Sequence, residues 1–527
     1  MRGAKSLRPW ILLCFACASA GWALLLPLGT SADEPAHVMF AAAVARGGAV
    51  QAPPGLNVVI PARMTDVALK DCTHRRPAQT SVCAPTLSQA SGNVYVPTAA
   101  AGYPKLYYLA VGAPTLGTFT ETSWYLMRLL SVLLGTILLA IGLWNVRPQR
   151  LPAAAVAVLL ACSPAVAAIV SAVNPSGPEI MAGLAAALAA SGLVDALHVG
   201  DSRRVRRAAV SIAVMITYLT VARPATWSVA LGVLTIVVLF AGQPLLELGR
   251  RKPLLLASGF AAVFVAMALA QVLWGVIPRP LPPGNTMSWG KALFRSTLPN
   301  IWERLVESVV RVADTDLASW ATSPLLITLL VVLGTALWLG SWWQRLAMLA
   351  GAFGAVIAGP VFAFHSVFIN GDGYQARYAA ALFSATVALS VGTIAERRLS
   401  WTSGRWASMI PEGWALLMLA TQVSVFARYA HGIPSPSLTL QVLMNHEWLP
   451  PAWPVVILLL AGMILAAERV SSAVFRPVNQ VTETYAPRSG RHSRHNARRV
   501  RLFNRLDGSA DRQDPRELSP AEWCTTC

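Results

Sequence analysis

The sequence predicts an all-α, multi-pass membrane protein of about twelve spans. Three observations carry this. Only 13% of the 527 residues are charged, against roughly 25% in soluble domains. Mean hydropathy is +0.54 and 55% of the chain is hydrophobic. Apolar runs of about 20 residues recur from end to end, the length a helix needs to cross the hydrocarbon core. The alternating ten-residue segments of an outer-membrane barrel are not there.

The elements follow in order. Arg2, Lys5 and Arg8 precede a first apolar run, Pro9 to Leu28. Ala18-Ser19-Ala20 resembles a cleavage site, but the run continues past it. An uncleaved first span with a cytoplasmic N-terminus is expected. A long outer loop, about 29–123, comes next. Within it Glu34 to Arg46 reads as a short interfacial amphipathic helix, with Val38, Ala41 and Val44 on one stripe and Gly47-Gly48 ending it. The Pro-, Thr-, Ser- and Ala-rich middle is expected to lack a large core. Tyr103-Pro104-Lys105-Leu106-Tyr107-Tyr108 reads as a second surface-lying segment, since aromatics gather at membrane interfaces. Cys72 and Cys83 share this loop, and an oxidising compartment would permit a disulfide between them.

Further spans are expected at about 124–144, with Arg128 near its outer end, and at 151–173. The breaker-rich turn Asn174 to Glu179 precedes the next span, 180–198. Two spans flank Arg223-Pro224 and another ends near Ile277. A second outer loop, 278–321, holds an amphipathic repeat at Ile301, Leu305, Val309 and Val312. Spans then fall at about 322–340, 346–365, 378–395, 407–426 and 453–467, with an outer loop at 427–452. Residues 1–467 thus form the membrane domain. Residues 468–527 form a basic tail, expected to be cytoplasmic and disordered.

Arginine-rich short turns, such as 203–207 and 250–252, fix the orientation, with both termini inside. The net charge of +18 is therefore a topology signal, and nucleic acid is not an expected partner. Asp33, Glu34, Lys105, Glu179, Arg223, Asp372 and Arg377 fall on the outer face. Cys524-Thr-Thr-Cys527 is a lone CxxC, too little for a zinc site.

The order of features is informative. One span leads to an outer loop opening Asp33-Glu34, then comes the Pro-aromatic segment around Lys105, then a span whose outer end carries Arg128. This resembles the N-terminal half of the GT-C superfamily of membrane glycosyltransferases. Lys105 departs from that pattern, standing after Pro104 rather than before a Pro pair. The chain is also similar to a bacterial membrane-protein family known only as a domain of unknown function. That similarity rests on Asp33 to His37 (Asp-Glu-Pro-Ala-His), Asn174 to Glu179 and Gln375 to Tyr378 (Gln-x-Arg-Tyr). It runs from about Trp10 to Ala467.

The GT-C resemblance implies transfer of a sugar from a polyprenyl-phosphate donor to an envelope glycan acceptor, on the outer face of a bacterial cytoplasmic membrane. Such transfer needs a base for the acceptor hydroxyl, with Asp33 first and Glu34 as the alternative. Glu179 is a second carboxylate for the same cavity, or a partner for an arginine. Cations to hold the lipid phosphate are Lys105, Arg128, Arg223 and Arg377, with Gln375 and Tyr378 beside the last. Carboxylates at Asp33 and Glu179 would suit Mg²⁺ or Mn²⁺, although no ligand cluster stands in the sequence. Two other readings stay open, a transporter or flippase of lipid-linked precursors and a non-catalytic scaffold with the GT-C fold that binds lipid-linked glycans.

Overall fold

The computed structural model describes residues 7–31, 33–48, 57–70, 72, 80–223, 226–274, 319–355, 379–397, 405–431 and 449–474. These lie within one compact unit, Met1–Arg476. The expected amphipathic repeat at 301–312, the Gln375-x-Arg377-Tyr378 motif with Asp372, the Cys524/Cys527 pair and the tail beyond 474 lie outside the described residues.

Helices dominate. Six of them are long and apolar enough to cross a membrane, or eight if each of two bent helix pairs counts as one span, among the described residues. The chain is an all-α polytopic protein with a small hairpin in its first long loop.

Helix α1 (Leu7–Leu25) matches the first expected span. Helix α2 (Glu34–Ala45) follows after a short turn. It ends where Gly47 takes a φ of 70°, a left-handed turn that glycine enters without steric cost. Strands β1 (Asn57–Pro61) and β2 (Asn93–Pro97) pair antiparallel, Val59 opposite Tyr95. A 3₁₀ segment, Ala62–Lys70, extends β1, and Lys70 bridges to Glu121. A disulfide joins Cys72 and Cys83 with Cα atoms 5.9 Å apart.

Two expectations for this loop are corrected. The loop has a core of its own: Val58, Ile60, Met64 and Val67 pack with Phe40, Tyr108 and Phe119. The alternating Asn-Val-Val-Ile-Pro of β1 turns Val58 and Ile60 to that core. Nor does α2 lie on a bilayer surface. Residues Val38 to Val44 are all buried, because α3 (Lys105–Val111), β1 and the 3₁₀ segment cover it. The Tyr103–Tyr108 segment likewise turns inward, with Tyr107 and Tyr108 fully buried.

The membrane bundle is built around α7 (Ser176–Val199), which is buried on all sides. Helix α4 (Glu121–Asn145), α8 (Ser202–Thr220) and α13 (Ala380–Arg397) pack against it. Alanine and glycine fill α7. A Cβ at Gly183 would meet the carbonyl oxygen of Ala381 at 2.6 Å. Small residues let helices approach closely where lipid supplies no hydrophobic drive between them.

The third expected span is broken. Helix α5 (Leu151–Ala161) and α6 (Pro164–Ser171) meet at 78°. Pro164 cannot donate to the preceding turn, and Ser163 caps α6 by accepting from the Val166 amide at 3.2 Å. The Trp414 indole donates to the freed Cys162 carbonyl at 2.8 Å. A second bend, 79°, separates α9 (Trp227–Phe240) from α10 (Gly242–Arg251). Helices α11 (Pro253–Trp274), α12 (Ser319–Leu339), α14 (Arg405–His431) and α15 (Trp453–Val474) complete the described bundle. Helix α15 carries the chain past the expected span end at 467 and packs along α1.

Candidate functional site

The Asp33-Glu34 pair divides into two roles. Glu34 is the first residue of α2 and is fully buried. Its carboxylate accepts from Arg128 Nε at 2.7 Å through Oε1 and from Nη2 at 2.6 Å through Oε2. The backbone amides of Gly29 and Val173 also donate to it, at 3.3 and 3.2 Å. Arg128 is 1% exposed on α4. Its Nη1 donates to the carbonyls of Ala23 and Leu26, at 3.0 and 2.5 Å, and its Nη2 to that of Pro27 at 2.8 Å. A guanidinium has five N–H groups, and these bonds engage all of them.

This geometry corrects two expectations. Arg128 has no donor left for a lipid phosphate. It closes the carbonyl end of α1, where a cation suits the helix dipole. Glu34 is committed to that clamp and to two amides. The clamp locks α1, α2, α4 and the turn before α7 together. Tyr125 flanks it, with the Arg128 guanidinium 5.6 Å from the ring centroid.

Asp33 stands at the surface instead. It caps α2 with φ 59° and ψ 5° and makes no side-chain bond to the helix amides. Among the described residues it is the one non-glycine with positive φ. That conformation costs an L-residue on the order of 1 kcal/mol, less for Asp than for bulkier side chains. The turn carries it because Glu34 is pinned one residue on, and the Glu34 amide donates to the Ser31 carbonyl at 3.0 Å.

A second acid–arginine pair is buried as well. Glu179, in the first turn of α7, accepts from Arg223 Nε at 2.5 Å. Both side chains are nearly fully buried. Arg223 follows α8, in a turn closed by Thr226, whose hydroxyl donates to the Arg223 carbonyl at 2.7 Å. Of the two roles foreseen for Glu179, the structure assigns the arginine partner.

Tyrosines connect the pairs. His37 Nδ1 and the Tyr108 hydroxyl are 2.7 Å apart. The Tyr107 hydroxyl donates to Ser131 at 3.1 Å. Glu34 acts electrostatically on Tyr107, and Arg223 and Tyr218 act on Tyr108. Glu179 acts in turn on Tyr218. Burial pushes the Tyr107 and Tyr108 phenols upward, so both stay protonated near neutrality. Tyr103 stacks edge-on to His37 at 5.3 Å.

The structure thus brings Glu34, Arg128, Glu179 and Arg223 into one buried polar layer under the hairpin subdomain, with Asp33 at its edge. Lys105 opens α3 and is exposed. Gln375, Arg377 and Tyr378 lie outside the described residues. Tyr107, Tyr108, Tyr218 and Ser131 were not foreseen as members. Tyr218 was legible as a polar residue inside an apolar run, but the sequence gives no hint of its partners. Among the described residues no three His, Cys, Asp or Glu side chains converge as a metal site. On the Glu179 carboxylate the Arg223 guanidinium sits at Oε2.

The bundle and the buried acid–arginine layer define a multi-pass helical membrane protein with a polar layer beneath a disulfide-bearing loop subdomain. The chain belongs to the family described as "Predicted membrane protein (DUF2142)", which matches residues 16–386. No curated protein and no solved structure matches it.

Proposed function

We propose that this protein is a glycosyltransferase of the GT-C type with about twelve spans, acting on the outer face of a bacterial cytoplasmic membrane with both termini inside. Its donor is a polyprenyl-phosphate sugar and its acceptor an envelope glycan. The observation that carries the reading is the division within the acidic pair. Glu34 is locked to Arg128 at the end of a membrane helix. The same lock holds Asp33 exposed, in a conformation the chain would not choose on its own.

In this reading Asp33 takes the proton of the acceptor hydroxyl. The acceptor oxygen then bonds to the anomeric carbon as the bond from that carbon to the phosphate oxygen breaks. The leaving polyprenyl phosphate carries its electron pair to a cationic site. Lys105 is the exposed candidate for that site, and Arg377 with Gln375 and Tyr378 are candidates outside the described residues. Arg223, held by Glu179, is a buried cation of the polar layer. Membrane lipid surrounds the bundle.

A transporter reading would draw on the two bent helix pairs, since broken helices build many transport sites. At the first break the Trp414 indole donates to the freed Cys162 carbonyl, so that backbone group is met from within the bundle. The test of transfer is a lipid extract. Replacing the gene in its native host by one encoding Asp33→Asn, at unchanged protein level, should accumulate one polyprenyl-phosphate sugar, as a full deletion does. A deletion that perturbs the profile beside an Asp33→Asn profile like wild type would remove Asp33 from the chemistry.

A further inference from the structure

The end of the bundle opposite the Glu34–Arg128 clamp carries a second arrangement, which does not depend on the proposed transfer. Arg8 lies in the first turn of α1. Its Nε donates to the Leu143 carbonyl at 3.1 Å and its Nη2 to the Val146 carbonyl at 2.6 Å, at the end of α4. At that same end of α4 the Asn145 side-chain amide donates to the Ser211 hydroxyl of α8 at 3.0 Å, and the Ser211 hydroxyl donates to the Arg207 carbonyl at 3.0 Å, which ties the corner that Arg8 holds to the turns of α8 carrying Arg204 and Arg207. Like charges gathered this way repel one another unless an anion lies among them.

Two carboxylates of α7 and the α7–α8 turn, among the described residues, are already engaged. Asp195 of α7 pairs with Arg150 at 2.8 Å and lies 3.6 Å from Arg147. Asp201 accepts from the backbone amides of Arg203 and Arg204, at 3.2 and 3.1 Å, and lies 3.6 Å from the Arg204 side chain. Positive charge therefore remains in excess on the Arg8 side, and Arg204 and Arg207 are exposed.

Two tryptophans fix the depth of this cluster. Trp144, between the two residues whose carbonyls hold Arg8, is 62% exposed. Trp10 lies two residues after Arg8, with the Arg469 guanidinium 6.0 Å from its ring centroid. Exposed tryptophan at a span end marks the headgroup level of the bilayer. The three arginines thus stand where lipid phosphates lie, backed by a helix corner that Arg8 makes rigid.

We propose that Arg8, Arg204 and Arg207 form a binding site for the phosphate of an anionic phospholipid of that leaflet. Charge complementarity and depth select the ligand. Arginine suits it because its planar fork matches phosphate oxygens.

The test uses the full-length protein in nanodiscs of phosphatidylglycerol and phosphatidylcholine in equal amounts. Native mass spectrometry reads the lipids that stay bound. Wild type should retain phosphatidylglycerol in clear excess. Arg204→Gln with Arg207→Gln should lower that excess roughly thirtyfold, following the gain each of the two basic groups makes near an anionic surface. Arg250→Gln with Arg251→Gln removes the same charge from another corner and should leave the excess in place. Equal loss in both double variants would reduce the effect to overall charge and overturn the site. So would a wild type with no preference for phosphatidylglycerol, a result that does not depend on any variant folding. Displacement of the lipid by millimolar inorganic phosphate would also overturn it, in favour of a soluble anion.

Discussion

Arg128 shows what one residue can tie together. Its five donors reach a carboxylate and three carbonyls, all buried. Removing one partner of a buried pair strands the other charge, at a cost of about 3–5 kcal/mol. Glu34→Gln and Arg128→Met should therefore each lower thermal stability in detergent sharply. A double-mutant cycle between them should give a coupling well above the ~0.5 kcal/mol expected of independent sites. Additive losses would mean that the two side chains do not depend on one another. The positions of both residues were readable, as an acid and an arginine near the outer ends of two spans. Their pairing was not, because 94 residues separate them and hydropathy carries no information about long-range partners. The same holds for Glu179 and Arg223.

Elements are set by backbone chemistry and by the size of contact residues. In the α7–α13 contact, Gly183→Ala would drive a methyl into the Ala381 carbonyl, an overpacking that costs about 1–3 kcal/mol. Gly334→Ala in α12 meets nothing within 4 Å and should be neutral, or stabilising by up to ~1 kcal/mol. Thermal unfolding of the two variants side by side checks the packing, and equal effects would contradict it. Most span positions were legible in the sequence because twenty apolar residues have few other places to go. The break between α5 and α6 was also written there, in Ser163-Pro164, but the continuous apolar run concealed it. The hairpin core was missed because Pro, Thr, Ser and Ala interrupt the stretch between its strands, while the alternating valines of β1 still carried the signal. Helix α3 adds a pH prediction. Burial holds the phenols of Tyr107 and Tyr108 above their ordinary value. The protonated forms are the ones the fold favours, so their contribution is complete below about pH 10. It is lost as the pH climbs further. An ultraviolet titration should find these two tyrosines ionising only as the protein unfolds, and ionisation near pH 10 in the folded protein would contradict their burial.

At the scale of the whole molecule, a loop subdomain sits on the bundle through the Glu34–Arg128 clamp and the tyrosine layer. The Cys72–Cys83 link closes a short loop within it. Replacing both cysteines by serine should cost about 2–3 kcal/mol, seen as earlier unfolding of the loop in hydrogen exchange, with the exchange of α7 unchanged. Loss of protection in α7 as well would mean that subdomain and bundle unfold as one. In the proposed transfer the clamp presents Asp33 to the reaction. Asp33→Gly separates that role from the turn, because glycine takes the left-handed conformation freely and brings no carboxylate. The variant should show a thermal midpoint equal to or above that of wild type, together with accumulation of a polyprenyl-phosphate sugar in the native host. A midpoint raised in the same way beside a wild-type lipid profile would contradict that role, and would leave Asp33 as no more than the residue that turns the chain into α2.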